Sequence, residues 1–136
     1  MLIIVLDTNI FLVSIATKSK YRPIFDALIA GKFVLAISNS ILSEYTEILE
    51  RKTNAIVANN VIELLLTLKN VVKTDVYYRW NLIKQDADDN KFVDCAIAAS
   101  ANFIVTNDKH FNELKNVSFP KVEVINANEF LKEITK

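Results

Sequence analysis

Several acidic residues lie where the sequence itself makes them conspicuous. Asp7 ends an apolar run in VLDTNIF at 5–11, Glu44 sits in SNSILSEYTEIL, and Asp108 follows a second apolar run in VTNDKHF at 105–111. Between them, DADDNKFVDCAIAA at 86–99 carries Asp86, Asp88, Asp89 and Asp94. If such groups converge, two carboxylates about 4 Å apart repel by about 4 kcal/mol at an effective dielectric near 20. A cluster therefore needs protons or a cation. With oxygen ligands and neither Cys nor a His set to hand, a hard ion such as Mg²⁺ or Mn²⁺ is the natural choice. An ion of that kind acidifies a bound water and neutralises a phosphoryl oxygen, which suits in-line hydrolysis of a phosphodiester. The chain has no G-x-x-x-x-G-K-[ST] or G-x-G-x-x-G phosphate cradle and no Ser or Cys nucleophile with a base. His110 is the only histidine, so no multi-His zinc site can form, and it reads as an exposed polar residue.

The elements that must position these acids alternate in type. Leu2 to Leu6 is a continuous apolar run, as in a strand buried on both faces, and Asp7 directly follows it. A helix over Ile10 to Ala16 comes next, then one opened by Pro23 and stopped by Gly31, then a strand over Phe33 to Ile37. Ser38-Asn39-Ser40 offers N-caps for a helix through about Arg51, with Glu44 on the edge of its apolar face. Asn54 to Leu68 reads as a further helix with more apolar surface than one core face needs, so that part of it can meet another chain. Val71-Val72 reads as a short strand and Tyr77 to Ile83 as a short helix, with Tyr77, Tyr78 and Trp80 as packing residues. Phe92, Val93, Ala96, Ile97 and Ser100 recur at helical spacing, with Asp94 bordering the packed side. Phe103 to Thr106 is a buried strand that stops short of Asp108; Val122 to Ile125 is the last strand and Ala127 to Ile134 the closing helix.

Strands alternating with helices predict a mainly parallel central sheet covered on both faces, a Rossmann-like three-layer α/β/α fold. Ligands in such sheets bind beyond the carboxyl ends of the strands, where strand order reverses. Asp7, Glu44, Asp94 and Asp108 would converge there. Each acid has a structural reading as well. Asp7 can cap the helix after it, Asp89 or Asn90 can cap the helix at 90–99, and Glu44 can answer a helix dipole.

With 136 residues the chain predicts one domain, 1–136, with one sizeable core. Sixteen basic residues balance sixteen acidic ones, so net charge favours no partner and nucleic-acid binding would need a local basic patch. The densest such patch is Lys18, Lys20 and Arg22, close after Asp7; it reads as solvated surface or as a phosphate contact. One cysteine, Cys95, excludes a disulfide framework and suits a reducing cytoplasm. No apolar run reaches the ~20 residues of a membrane span, and the first residues lack the basic start and cleavage site of a signal peptide.

The motifs quoted above, in this order from Leu2 to about Phe130, resemble the PIN domain family, in particular the VapC-type toxins of toxin–antitoxin pairs. The resemblance implies a Mg²⁺- or Mn²⁺-dependent endoribonuclease with RNA as substrate. It implies Asp7 and Asp94 as direct metal ligands, and Glu44 and Asp108 as direct or water-mediated ones. Asn9, Thr106 and Asn107 would orient acids and waters, and Asp89 matches an additional acid found in one branch of the family. Homodimers and a separate antitoxin that blocks the site are implied too. Two other readings compete. An aspartate-nucleophile phosphatase of the haloacid-dehalogenase type would use Asp7, but that family needs an acid where this chain has Asn9. A non-catalytic module binding RNA or protein would have no need of the full acid set.

Overall fold

The computed structural model describes residues 1–136. Five strands form one sheet: β1 (Ile3–Leu6), β2 (Val34–Ile37), β3 (Val71–Lys73), β4 (Phe103–Val105) and β5 (Val124–Ile125), in the order β3-β2-β1-β4-β5. Every neighbouring pair is parallel. Ile4, Val5 and Leu6 at the centre are fully buried, because parallel strands are covered on both faces and need apolar residues at every position.

Six α-helices connect and cover the strands: α1 (Thr8–Ile15), α2 (Arg22–Ile29), α3 (Asn39–Lys52), α4 (Ala55–Thr67), α5 (Asn90–Ala99) and α6 (Ala127–Ile134). The chain steps from β1 to β2 to β3 in one direction and then returns through α5 to β4 on the far side of β1. Right-handed crossovers therefore put α1 to α4 on one face and α5 on the other, giving three layers. α5 packs across β1, β2 and β4, and its alanines allow a close approach.

Local chemistry sets the ends of these elements. Ser38 Oγ accepts from Ile41 N–H, Asn54 Oδ1 from Val57 N–H at 2.9 Å, and Asn126 with Glu129 forms a capping box at α6. Gly31, the only glycine, follows α2 with φ +75°, a conformation that a side chain would strain. The apolar surplus expected on α4 is present: Ile56 and Leu66 are exposed on it, with Leu64 partly so.

Two expectations are corrected. Tyr77 to Ile83 is not a helix but an irregular segment crossing the carboxyl edge of the sheet. Its backbone is engaged elsewhere: Trp80 N–H donates to Asp94 Oδ1 at 3.0 Å, while Asn90 accepts from Ile83 N–H and donates to Ile83 C=O. Asn81 is left-handed, which a helix interior would not tolerate. Nor does Asp89 or Asn90 cap α5 with its side chain. A 3₁₀ turn, Ala87–Asp89, runs straight into α5, and Asp86 accepts from Asp88 N–H in its place. The Asp89 carboxyl is thereby left for another use.

Candidate active site

β1 and β4 lie side by side at the centre of the sheet, and the chain leaves them towards opposite edges. That switch point opens a crevice above their carboxyl ends. Asp7 is the first residue beyond β1 and Asp108 the third beyond β4. Asp7 N–H donates to Val105 C=O at 3.0 Å, extending the β1–β4 pairing to the acid itself. Thr106 Oγ1 donates to Asp7 Oδ2 at 2.6 Å and accepts from Asp108 N–H at 3.0 Å, so a single hydroxyl spaces the two acids.

Asp89 arrives from the other layer, on the turn that enters α5. It is buried, and its Oδ2 has no hydrogen-bond partner. Burial first, then repulsion from Asp108, Asp86 and Asp7, pushes its pKa up to about 6, with His110 opposing. Asp7 is also raised, by burial first, against the Thr106 hydroxyl and the Asn9 backbone N–H, with Asp108 and Glu44 adding to the rise. Asp7, Asp89 and Asp108 thus feel one another's charge, as carboxylates do when they share a site.

Glu44 is held beside this group by α3. Tyr45, stacked on Phe11 with ring centres 4.2 Å apart, donates its hydroxyl to Leu6 C=O at 2.5 Å and pins α3 to the end of β1. The Glu44 carboxylate accepts from the Thr8 hydroxyl and pairs with Lys91 at 2.7 Å. Lys91 and Thr8 therefore neutralise and orient Glu44, whose charge Asp7 also feels.

Asp94, the fifth residue of α5, borders an adjoining cleft. It sits farther along α5, accepts from Trp80 N–H, and lines a polar cleft of about 470 Å³ with Ser38, Arg79, Asp88 and Lys91. Burial raises its pKa, while Trp80 N–H and the Arg79 charge oppose the rise. Asn90, Lys91 and Asp94 share one face of α5, and Asp89 lies around the helix from them.

The supporting residues divide in the same way. Asn9 is exposed at a shallow pocket lined also by Asp7, Asn107, Asp108 and Tyr21. Asn107 accepts from Ala127 N–H at 3.1 Å, docking α6 under the site. Of the basic stretch, Arg22 is bonded to Asp26 at 2.9 Å and to Ile15 C=O, whereas Lys20 lies 5.7 Å from the Tyr21 ring centre. Cys95 is buried, and burial pushes its thiol up to about 12, so it is inert.

His110 was not recognisable as a site residue from the sequence. Its Nδ1 lies 3.4 Å from Asp89 Oδ2, 3.4 Å from Asp108 Oδ1 and 3.9 Å from Asp86 Oδ2. Asp108 places it there by capping the 3₁₀ helix Lys109–Asn116 and accepting from His110 N–H at 2.9 Å. An acid followed two residues later by His at the start of a tight turn was the available signal. Lys91, two residues after Asp89, was missed for the same reason: both partners are local in sequence to an acid and distant from the group they complete.

No curated protein matches the chain. Among solved structures, VapBC2 from Rickettsia felis bound to a DNA fragment from their promoter matches with a TM-score of 0.63 and 21% identity, covering 91% of this chain and 98% of that one. DNA-bound VapBC from Salmonella typhimurium matches at 0.62 and 19% identity over 93% of this chain and 99% of that one. VapBC-1 from nontypeable Haemophilus influenzae matches at 0.57 and 18% over 93% and 98%. These identities establish a shared fold. In sequence, residues 3–110 match the PIN domain family, a span that opens with β1 and closes on His110, and so includes every acid that the switch point gathers. The chain belongs to the PIN domain family.

Proposed function

We propose that this chain is a divalent-metal-dependent endoribonuclease and the toxin of a VapC-type toxin–antitoxin pair. The observation that carries the reading is that Asp7, Asp89 and Asp108 stand close enough at the β1–β4 switch point to feel one another's charge, with a buried Asp89 oxygen that has no hydrogen bond shorter than its 3.4 Å contact with His110 Nδ1. A buried carboxylate oxygen without a good donor is costly, and a bound cation would satisfy it.

The donor chemistry, carboxylate oxygen alone, suits a hard ion. Asp7, Asp89 and Asp108 would hold Mg²⁺ or Mn²⁺, with Glu44 beside them and Asp94 bordering the adjoining cleft. When bound, the ion supplies a water of lowered pKa and neutralises charge on a phosphoryl oxygen. The protein's own groups do the rest. Thr106 donates to Asp7 and opposes the burial that raises its pKa, and Glu44, fixed by Lys91 and Thr8, would accept a proton during the attack. Asn9 at the rim and the polar cleft beyond Lys91 offer hydrogen bonds to the flanking nucleotides. Lys18 and Lys20 would meet backbone phosphates, whereas Arg22 is committed to the α1–α2 junction.

Two protein partners belong to this reading. The exposed Ile56, Leu64 and Leu66 of α4 supply an apolar face for a homodimer. The similarity in fold to VapBC proteins supports a cognate antitoxin.

The test is cleavage of a mixed RNA pool with Mg²⁺, Mn²⁺ or EDTA, using wild type, Asp7→Asn and Asp89→Asn. Metal-dependent cutting that both substitutions abolish, with the fold retained, supports the nuclease. Undiminished cutting by both variants overturns the site.

A further inference from the structure

The acid edge holds one nitrogen. His110 Nδ1 is buried and without a hydrogen-bond partner, and it faces Asp89 Oδ2, which is also buried and unpartnered. The Asp89 residue is 9% exposed, so solvent does little for that oxygen. The 3.4 Å between the two atoms is longer than a good N–H···O bond. It does match the spacing of two donors on one ion: ligands bonded at about 2.1 Å and separated by 90–110° lie about 3.0–3.4 Å apart. Asp86 completes the group. Its Oδ1 is occupied by Asp88 N–H, which turns Oδ2 towards the imidazole at 3.9 Å, and the donor atoms of all three residues lie within 4.8 Å of one another, so an inward turn of the partly exposed Asp86 carboxylate would bring them onto one ion. The side chains of Asp86 and His110 are both partly exposed, which gives an ion a way in.

We propose that Asp86, Asp89 and His110 form a mixed nitrogen–oxygen site for a first-row transition ion of the Co²⁺ or Zn²⁺ kind, beside the all-oxygen position and sharing Asp89 with it. Neutral imidazole is a ligand such ions accept, whereas Mg²⁺ prefers oxygen donors and keeps its waters. The consequence is selective: a transition ion is held by a nitrogen that contributes little to holding Mg²⁺. The inference extends the reading of this edge as a divalent-metal site, but it does not depend on RNA being cut.

A single histidine makes the test unambiguous. In ¹⁵N-labelled wild type, Zn²⁺ titrated at constant pH should shift the Nδ1 resonance of His110 and saturate. Co²⁺ should displace or broaden it, and Mg²⁺, which reaches only the neighbouring carboxylates, should move it far less than Zn²⁺ does. Asp86→Asn and His110→Gln should each weaken Zn²⁺ binding by at least about tenfold in calorimetry. An Nδ1 resonance that Zn²⁺ and Co²⁺ leave untouched in the folded wild type would overturn the site and leave His110 as an ion-pair partner of the acids. Unchanged Zn²⁺ affinity in both variants would do the same. Asp7→Asn separates the two readings, since it removes a carboxylate of the proposed nuclease centre and should preserve the His110 response. RNA cleavage with a silent His110 sinks this inference alone; a responsive His110 without cleavage sinks the nuclease alone.

Discussion

Thr106 Oγ1 and Asp7 Oδ2 lie 2.6 Å apart although 99 positions separate them in sequence. The hydroxyl has one proton, and its oxygen already accepts from Asp108 N–H at 3.0 Å, so that proton is directed to Asp7. One side chain thus fixes the spacing of two acids on neighbouring strands and favours the charged form of the more buried one, against the burial that raises its pKa.

Replacing Thr106 with Val keeps the shape and removes that bond. A hydrogen bond to a charged group contributes about 1.5–3 kcal/mol, so RNA cleavage at neutral pH should fall by about ten- to a hundredfold. Loss of a contact that lowers the Asp7 pKa also moves the acidic limb of the pH–rate profile to higher pH. Thr106→Ser should recover most of the rate. Equal rates for Val and Thr at every pH would show that the hydroxyl does not tune Asp7.

Asp89 makes stability depend on pH in a direction opposite to the common carboxylate. Its pKa in the fold is about 6, above its ordinary 3.8, so the native state binds the proton more tightly than the unfolded chain does. Its contribution is least unfavourable below about pH 4 and weakens the fold progressively up to about pH 6, by at most about 3 kcal/mol. Asp89→Asn removes this penalty. Urea unfolding without divalent ions should show wild type losing ground to the variant between pH 4.5 and 6.5, and parallel profiles would contradict the assignment.

The sheet could be read from the sequence because its central strands are apolar at every position and end abruptly at acids, a pattern set by burial on both faces. Asp7 and Asp108 followed from it, since a residue just past a parallel strand has only one place to go. Asp89 and Asp94 could not be ranked that way. Asp89 is the turn residue that leads into α5 and Asp94 lies within the helix, so how far apart they stand around the axis, at about 100° per residue, follows only once the helix start is known. The segment 77–83 was misread because its apolar residues suit a helix, while its backbone partners, Asp94 and Asn90, come later in the chain. His110 and Lys91 show their role only once distant carboxylates are beside them.

Asp89 and Asp94 should accordingly respond differently to loss of charge. Asp89→Asn is expected to abolish metal-dependent cleavage. Asp94→Asn keeps an oxygen for Trp80 N–H and should leave cleavage within about tenfold of wild type, since one retained neutral hydrogen bond differs from a charged one by about 1 kcal/mol. Asp94→Ala frees the Trp80 backbone and should increase proteolytic cutting at Arg79. If Asp94→Asn abolishes cleavage while Asp89→Asn spares it, the roles of the two acids are reversed.

The basic stretch after α1 divides into residues with different duties, which salt dependence can separate. Arg22 donates to Ile15 C=O and Asp26 and lies 5.1 Å from the Phe25 ring centre, so its guanidinium joins the end of α1 to α2. Arg22→Ala should lower the melting temperature and change the salt slope of RNA binding little. Lys18 and Lys20 form no ion pair with an acid, and Lys20 leans over Tyr21, a lining residue of the shallow pocket that holds Asp7 and Asp108. If each contacts one phosphate of a single strand, Lys18→Ala with Lys20→Ala should reduce the slope of log K against log salt by about 1.4 and leave the melting temperature unchanged. A slope unaltered by the double change would place the RNA path elsewhere, with the polar cleft beyond Lys91 as the remaining route to the acids.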